Sequence, residues 1–219
     1  NLYMSKICYI VGAGDHFKSD IFNPEADDLV IAADGGYNFL KDNNIRTDII
    51  IGDFDSINNT QDFFSDIPDS QIIKLNPIKD KTDTFSAIDR GIDEGYSTFY
   101  IYGGTGGRTE HTVANIQTLS MLSEKNMRGY IFGENEIMTV IHNTGIRFRN
   151  DSNGYISVFS LTDISKNVNE TGLKYTLNNY TMSNSYPIGV SNEFEGNEGY
   201  ISVGDGTLLI IYPKGTHLI

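Results

Sequence analysis

Two aspartates, Asp53 and Asp55, stand one position apart directly after an isoleucine run at residues 49–51. The β-branched run predicts a buried strand of a parallel sheet, and the carboxyl end of such a strand is where open α/β sheets bind ligands. Two acids this close repel each other unless a cation, a donor or solvent neutralises them. Their oxygen ligands suit Mg²⁺; the alternative interpretation is an ordinary polar turn.

Three further clusters of polar or glycine residues follow predicted strands. They occupy residues 34–36 (Asp-Gly-Gly), 79–83 (Lys-Asp-Lys-Thr-Asp) and 103–111 (Gly-Gly-Thr-Gly-Gly-Arg-Thr-Glu-His). Because the carboxyl ends of parallel strands lie at one edge of the sheet, we expect all four clusters to meet there. One such loop is ordinary, but four at the same edge predict a functional site.

The glycine-rich loop at residues 103–107 precedes a predicted helix. It misses the Walker pattern, which would need glycine at Tyr102 and lysine at Arg108. The dinucleotide fingerprint also fails, because Phe17 stands where its third glycine would be. We therefore expect a loop whose backbone N–H groups cradle phosphates beside Arg108. The alternatives are that the glycines form an ordinary tight turn and that Arg108 is an exposed surface charge.

Together these loops have the chemistry for Mg²⁺-assisted phosphoryl-type transfer. Asp80 and Asp83 add oxygen ligands to those of Asp53 and Asp55, although acids at a helix start also favour the helix dipole. His111, at the start of the next predicted helix, is either a ligand-binding side chain or a solvent-facing one.

Strands and helices alternate along the first half of the chain. Strands are predicted at residues 6–11, 29–33, 49–51, 72–75 and 98–102. Helices are predicted around residues 37–41, from residue 82 to a C-cap at Gly95, and at 109–125. In the second of these, Phe85, Ile88 and Ile92 fall on one face, which is expected to point inward. The last helix is expected to face inward with Val113, Ile116, Leu119 and Leu122. This alternation predicts an α/β fold with a mainly parallel sheet and flanking helices.

The second half shows only short strands between turn residues. They are predicted at residues 130–132, 137–141, 146–148, 155–161, 174–177, 200–203 and 208–212. We therefore expect an all-β, sandwich-like C-terminal domain. The boundary is placed near residues 128–136, which gives domains of 4–130 and 131–219.

The composition limits the possible partners. The chain has 219 residues, with 16 Lys and Arg against 29 Asp and Glu, and a formal charge of −13. Such an acidic balance argues against nucleic-acid or anionic-membrane binding. The single cysteine, Cys8, excludes a disulfide framework and favours a reducing compartment, so a cytoplasmic protein is expected. No apolar run approaches the length of a membrane span.

The four clusters, in this order and spacing, resemble those of the thiamine pyrophosphokinases. The β-rich second half, with Gly-Val-Ser-Asn-Glu at residues 189–193, is similar too, so the resemblance covers nearly the whole chain. It implies a thiamine diphosphokinase that uses ATP and Mg²⁺ to convert thiamine into thiamine diphosphate and AMP. In that reaction the thiamine hydroxyl attacks the β-phosphorus of ATP.

The resemblance also implies roles for individual residues. Mg²⁺ would be held by Asp53, Asp55 and Asp83, which with Arg108 form the catalytic set. Nucleotide and phosphates would be bound by Asp34, Gly35, Lys79, Gly104, Arg108, Thr109 and His111. Thiamine would be bound by Asp80, Glu110, Ser191 and Asn192. The partners implied are ATP, thiamine and a second copy of the chain. In such a homodimer the α/β half of one protomer, residues 4–130, meets the β half of the other, residues 131–219.

Two departures from the family and two rival functions remain open. The family usually has aspartate at the position of Glu110, and some members stack thiamine on a tryptophan, which this chain lacks. One rival is a haloacid-dehalogenase-type phosphohydrolase with Asp53 as nucleophile, although two predicted strands precede that residue. The other is a non-catalytic nucleotide or metal sensor, in which the β half is an interaction module.

Overall fold

The structure is a computed structural model that describes residues 5–55, 60–78 and 80–219. It divides into two compact units, one ending at Asn115 and the other covering Ile116–Ile219. The predicted functional domains, 4–130 and 131–219, stay a prediction. Within the described part of the chain, no helix combines the length and apolar character that crossing a membrane requires.

The first unit contains five parallel strands, hydrogen-bonded in the order β5-β1-β2-β3-β4. They are β1 (Ile7–Val11), β2 (Leu29–Ala33), β3 (Ile49–Gly52), β4 (Ile72–Lys74) and β5 (Thr98–Tyr102). The register pairs Val11 with Tyr102 and Ala33 with Ile51, so neighbouring strands end level with one another. Their carboxyl ends therefore form one common edge, as the sequence predicts.

Helices and short 3₁₀ turns connect these strands. The helices are α1 (Gly36–Asp42), α2 (Thr60–Phe63), α3 (Asp83–Asp93) and α4 (Thr109–Glu124), and α4 continues into the second unit. The 3₁₀ turns are Lys18–Asp20 and Asp69–Gln71. Helices α1 and α3 pack against β1 and β2. The predicted α/β class, a mainly parallel sheet with flanking helices, is confirmed.

The ends of α3 follow from local chemistry. The hydroxyl of Thr82 caps the helix by accepting a hydrogen bond from the Phe85 N–H at 3.1 Å. Gly95 follows the last helical turn with φ +91°, a conformation that glycine adopts without steric cost. Ile88 is fully buried, as the predicted inward face requires.

The inward face of α4 differs from the prediction at its first turns. Val113 is 51% exposed, whereas Asn115 is only 5% exposed; Leu119 and Leu122 are buried as expected. The amide of Asn115 donates a hydrogen bond to the Gly104 carbonyl at 2.8 Å, which compensates the burial of a polar group. The prediction for Val113 is wrong because it followed apolar residues alone.

The second unit is built from antiparallel strands in two sheets, β12-β9-β14-β7-β6 and β11-β10-β13-β8. The strands of the first are β6 (Arg128–Phe132), β7 (Glu136–His142), β9 (Tyr155–Ser160), β12 (Asn192–Glu193) and β14 (Thr207–Pro213). Those of the second are β8 (Gly145–Phe148), β10 (Ile164–Thr171), β11 (Leu177–Ser183) and β13 (Gly199–Asp205). Side chains from both sheets share one core, including Phe148, Ile156, Val168 and Ile210. The predicted sandwich-like domain is confirmed.

Three strands of this unit differ from the sequence prediction. The strand expected at residues 174–177 begins only at Leu177, and β10 and β12 were not predicted. Strand β10 buries Ser165, Val168 and Glu170, and irregular register between these residues breaks the two-residue alternation. A polar strand with β-bulges gives no clear apolar periodicity, which explains the omission.

Candidate active site

Loops at the carboxyl edge of the parallel strands line a cavity of about 430 Å³ in the first unit. Each of the four sequence clusters contributes at least one residue to it. The lining residues are Ala13, Gly14, Ala33, Asp34, Asp53, Thr82, Asp83, Thr84, Gly103, Gly104, Gly106, Gly107, Arg108, His111 and Asn115. The cavity therefore combines carboxylates, a glycine-rich loop and a guanidinium.

Three carboxylates of the cavity lie close together. Asp34, Asp53 and Asp83 each place one oxygen within 4.8 Å of the others, and all three residues are partly buried. Three negative charges at this spacing repel one another unless a cation neutralises them. Carboxylate oxygens are the ligands that Mg²⁺ prefers, so this donor set fits that ion.

Asp55, a predicted Mg²⁺ ligand, is not in this cluster of described carboxylates. Its side chain is exposed, and its backbone N–H donates a hydrogen bond to Asp53 Oδ1 at 3.2 Å. Between them Phe54 adopts φ +59° and is buried, with its ring centroid 4.9 Å from that of Phe64. The buried phenyl ring thus fixes a sharp turn that separates the two aspartates.

Asp34 takes the third place in the cluster through the turn after β2. It adopts φ +50°, and its N–H donates a hydrogen bond to the Ile51 carbonyl at 2.8 Å. At Gly36 a Cβ atom would lie 1.9 Å from the Val11 carbonyl oxygen, so only glycine lets α1 begin this close to β1. Gly35, predicted to bind nucleotide, is the N-cap of α1 and does not line the described cavity.

The cluster at residues 79–83 contributes its last two residues. Asp83 is the first residue of α3, directly after the capping Thr82, so its carboxylate lies at the helix N-terminus. Asp80, predicted to bind thiamine, is exposed and lies outside the lining. Lys79, predicted to bind phosphate, and Ser56 lie outside the residues that the structure describes.

The glycine-rich loop after β5 packs against the loop after β1. The N–H of Gly14 donates to the Gly103 carbonyl and that of Asp15 to the Thr105 carbonyl, both at 2.8 Å. A Cβ atom at Gly14 would lie 2.4 Å from the Thr105 oxygen. The sequence indicates no role for the loop after β1, because that loop does not match the dinucleotide fingerprint. In the structure its backbone supports the glycine-rich loop after β5.

Arg108 precedes α4 and interacts with two neighbours on that helix. Its guanidinium forms an ion pair with Glu110 at 3.2 Å and a contact with His111 Nε2. The side chains of Arg108 and Glu110 are 72% and 67% exposed, so their ion pair is weak and exchangeable. Thr109 begins α4 and is exposed, without lining the described cavity.

His16 is a neighbour of this site that the sequence analysis missed. Its ring stacks on Phe39 at 4.3 Å, and among the described residues no partner satisfies its Nδ1 atom. Burial lowers the pKa of the imidazole, so the ring is held neutral. No sequence signal singles out this histidine, because its position depends on the close approach of Gly103, whose Cβ would lie 2.5 Å from the His16 ring.

Ser191 and Asn192 lie in the second unit, and their side chains differ in availability. Asn192 is 4% exposed; its amide donates to the Tyr175 carbonyl at 2.7 Å and accepts from the Tyr175 N–H at 2.9 Å. Ser191 adopts φ +58°, is exposed, and donates its N–H to Ser157 Oγ at 2.9 Å. Asn192 therefore anchors this turn, while the Ser191 hydroxyl lies at its surface.

Comparisons with known proteins add evidence from outside the structure. Residues 24–131 match the family model "Thiamin pyrophosphokinase, catalytic domain", and residues 143–208 match "Thiamin pyrophosphokinase, vitamin B1 binding domain". A curated thiamine pyrophosphokinase from Bacillus subtilis is 28% identical over 184 residues, which cover 84% of this chain and 86% of that protein.

Solved structures give the same relationship. A thiamine pyrophosphokinase crystal structure from Bacillus subtilis has a TM-score of 0.84 at 26% identity and covers 96% of this chain and 100% of its own. A thiamin pyrophosphokinase structure from Geobacillus thermodenitrificans has a TM-score of 0.84 at 25% identity, over 95% of this chain and 97% of its own.

Proposed function

This chain belongs to the thiamin pyrophosphokinase family, and on that premise we propose how its residues carry out the reaction. It is an enzyme that transfers a pyrophosphoryl group from ATP to thiamine. The observation that supports the residue assignment best is the cluster of Asp34, Asp53 and Asp83 beside the loop that ends in Arg108. The comparisons give no support to the phosphohydrolase or to the sensor.

We assign the Mg²⁺ ligands to Asp34, Asp53 and Asp83. Asp53 and Asp83 keep the role implied by the family, and Asp34 joins them because its carboxylate lies within 4.8 Å of theirs. When bound, the cation would offset the charge of the transferred phosphates. Asp55, also predicted as a ligand, contacts Asp53 through its backbone N–H and is assigned a supporting role in shaping the loop.

The nucleotide is proposed to lie along the glycine-rich loop and the first turn of α4. Backbone N–H groups near Gly104, together with the helix N-terminus at Thr109, are suited to phosphate oxygens. Arg108 would exchange its exposed ion pair with Glu110 for the phosphates, with His111 beside it. Gly35 and Lys79 remain in this assignment as proposals from the family resemblance.

The acceptor is proposed to lie between protomers of a cytoplasmic homodimer. In this arrangement residues 4–130 supply ATP and Mg²⁺ binding, and residues 131–219 of the other protomer supply thiamine binding and dimerisation. Ser191, whose hydroxyl is exposed, would contact thiamine, and Asn192 would hold the turn in place. Asp80 and Glu110 are proposed to complete the thiamine site from the first unit.

The proposed reaction is an in-line displacement at the β-phosphorus of ATP. The thiamine hydroxyl oxygen forms the new O–P bond and loses its proton, while the bond from the β-phosphorus to the α,β-bridging oxygen breaks. AMP leaves with that oxygen. Donors fixed beside the phosphates act by stabilising negative charge as it develops, which is where most of the catalytic effect of such sites arises.

A coupled assay of AMP release tests this function. We expect AMP to appear only when ATP, thiamine and Mg²⁺ are all present, with thiamine diphosphate formed in equal amount. A phosphohydrolase would release phosphate without thiamine, and a sensor would bind ATP without turnover. Either of these results would contradict the proposed reaction.

A further inference from the structure

The second unit contains a cavity that is separate from the residues assigned to the reaction. Its volume is about 710 Å³, compared with about 430 Å³ for the candidate active site. Its walls come from the end of α4, from β6, β7, β8 and β13, and from the last residues of the chain. A cavity of this size lies in the range that small-molecule ligands occupy.

The charged side chains that line this cavity are basic in a strongly negative protein. Arg128, Arg147 and His142 line it, and no aspartate or glutamate of the described chain does. The whole chain carries a formal charge of −13, with 29 acidic residues against 16 Lys and Arg. Arg147 forms an ion pair with Glu198, which lies outside the lining, so the Arg128 guanidinium and the remaining donors of Arg147 form a local site that attracts anions.

Arg147 is held in place by a tyrosine side chain. Its guanidinium lies 4.0 Å from the centre of the Tyr200 ring. One Arg147 N–H donates to Glu198 at 2.8 Å, which leaves further donors of its five for a ligand. Because the Arg147 side chain is already ordered, binding an anion costs less conformational entropy than it would with a free arginine.

The remaining walls suit a ligand with both a polar and an apolar part. His142 Nδ1 lies 2.8 Å from Thr207 Oγ1, which leaves Nε2 as the ring nitrogen for a ligand. Met127, Tyr130 and Leu218 line the same cavity and are only partly buried, so they offer apolar surface to a ligand. An inorganic anion alone would leave this apolar surface without a partner.

We propose that this cavity binds a small organic phosphate. Arg128 and Arg147 bind the phosphate group, His142 lies beside it, and the organic part packs on the apolar surface. Arginine forks match phosphate oxygens in bidentate geometry, and such charge-assisted hydrogen bonds are among the strongest in proteins. The proposal does not depend on the activity assigned to the first unit.

Calorimetry with AMP and with inorganic pyrophosphate tests the proposal, in buffer without Mg²⁺. The measurements use an Arg108→Gln background, which weakens phosphate binding at the candidate active site. We expect this protein to bind one AMP per chain, and the additional pair Arg128→Gln and Arg147→Gln to weaken that binding about tenfold or more. Lys166→Gln removes an exposed charge from the same unit without touching the cavity, and should leave binding unchanged.

A second variant separates binding from folding. Arg147→Lys keeps the charge but removes the planar group stacked on Tyr200, and we expect an intermediate loss of AMP affinity with an unchanged melting temperature.

Equal AMP affinity with and without the Arg128 and Arg147 substitutions would overturn the proposal, as would failure of the Arg108→Gln protein to bind AMP. Tighter binding of pyrophosphate than of AMP would overturn its organic part. Dissociation of an oligomer by these substitutions, with AMP affinity unchanged, would assign the surface to contacts between copies and overturn the proposal.

Discussion

At the scale of single residues, Asp53 and Asp55 have different surroundings although they are one position apart. Asp53 belongs to the cluster of three carboxylates, whereas Asp55 is exposed and contacts Asp53 through its backbone. Their roles should therefore differ in a measurable way.

We expect Asp53→Asn to lower kcat for AMP release by roughly 10²–10³-fold, because it removes one proposed Mg²⁺ ligand at the point where phosphate charge would be stabilised. Asp55→Asn should lower it by less than about tenfold, since its backbone N–H contact survives the substitution. Steady-state kinetics of both variants at saturating Mg²⁺ is the measurement. Equal losses in the two variants would contradict the assignment of Asp34 in place of Asp55.

Ser191 and Asn192 allow a second test at the same scale. Ser191→Ala removes an exposed hydroxyl, and we expect the KM for thiamine to rise about three- to tenfold with little change in the KM for ATP. Asn192→Ala removes the bonds of a buried amide to the Tyr175 backbone, so it should lower the free energy of unfolding by about 1–3 kcal/mol. Kinetics and chemical denaturation of both variants separate binding from anchoring. A larger effect of Ser191→Ala on ATP than on thiamine would count against the thiamine assignment.

At the scale of the element, strand β10 carries a buried acid in the core of the second unit. Glu170 is 2% exposed, pairs in register with Leu177 and Ile201, and has an Oε1 atom without a hydrogen-bond partner among the described residues. Burial raises the pKa of its carboxyl from 4.5 to about 7. Folding of this strand into the core therefore favours the neutral form of the Glu170 carboxyl.

This carboxyl predicts a pH-dependent stability with a definite sign. Between pH 4.5 and about 7 the unfolded chain has released the proton and the folded chain still holds it, so stability falls as pH rises through this window. The loss is on the order of 3 kcal/mol. We expect Glu170→Gln to remove this decline and to be more stable than the parent protein at pH 8, measured by urea denaturation at pH 5 and pH 8. Exposed Glu195→Gln is the matched control, and a parallel decline in Glu170→Gln would contradict the assignment.

The elements that the sequence predicted well are those with a simple apolar pattern. The isoleucine run predicted β3, which spans Ile49–Gly52. The helical spacing of apolar residues predicted the inward face of α3, where Ile88 is buried. The polar strand β10 and the buried Asn115 of α4 were missed, because long-range packing and single hydrogen bonds stabilise them. Those interactions join residues far apart in sequence and leave no local periodicity.

Interactions between residues far apart in sequence also limit what could be predicted of the candidate active site. Loop chemistry predicted that the four clusters meet at one edge, since strand order alone requires it. The presence of Asp34, and not Asp55, in the carboxylate cluster could not be predicted. It depends on the turn that buries Phe54 and on the backbone conformation of Asp34.

At the scale of the whole molecule, the proposed site between two protomers predicts complementation. Asp53→Asn disables the first unit, and Ser191→Arg places a positive charge where cationic thiamine is proposed to bind. If the two proteins exchange subunits randomly, half of the dimers contain both, and each of these has one intact site of two. We therefore expect roughly a quarter of the parent activity from an equal mixture, although each variant alone is nearly inactive.

Subunit exchange by co-refolding, followed by the AMP assay, is the measurement. Sedimentation should show a dimer for each variant and for the mixture. A mixture no more active than the sum of its components would contradict a site built from two chains.

The backbone at Asp34 has a consequence for mutational scanning of this enzyme. Its φ of +50° is in the left-handed region, which costs most residues roughly 1–2 kcal/mol but which asparagine and glycine tolerate. An alanine at this position would therefore combine a loss of the carboxylate with a strained turn between β2 and α1. Asparagine keeps the turn and removes the charge, and glycine keeps the turn and removes the side chain. A comparison of these three variants would separate the effect of position 34 on folding from its effect on the reaction.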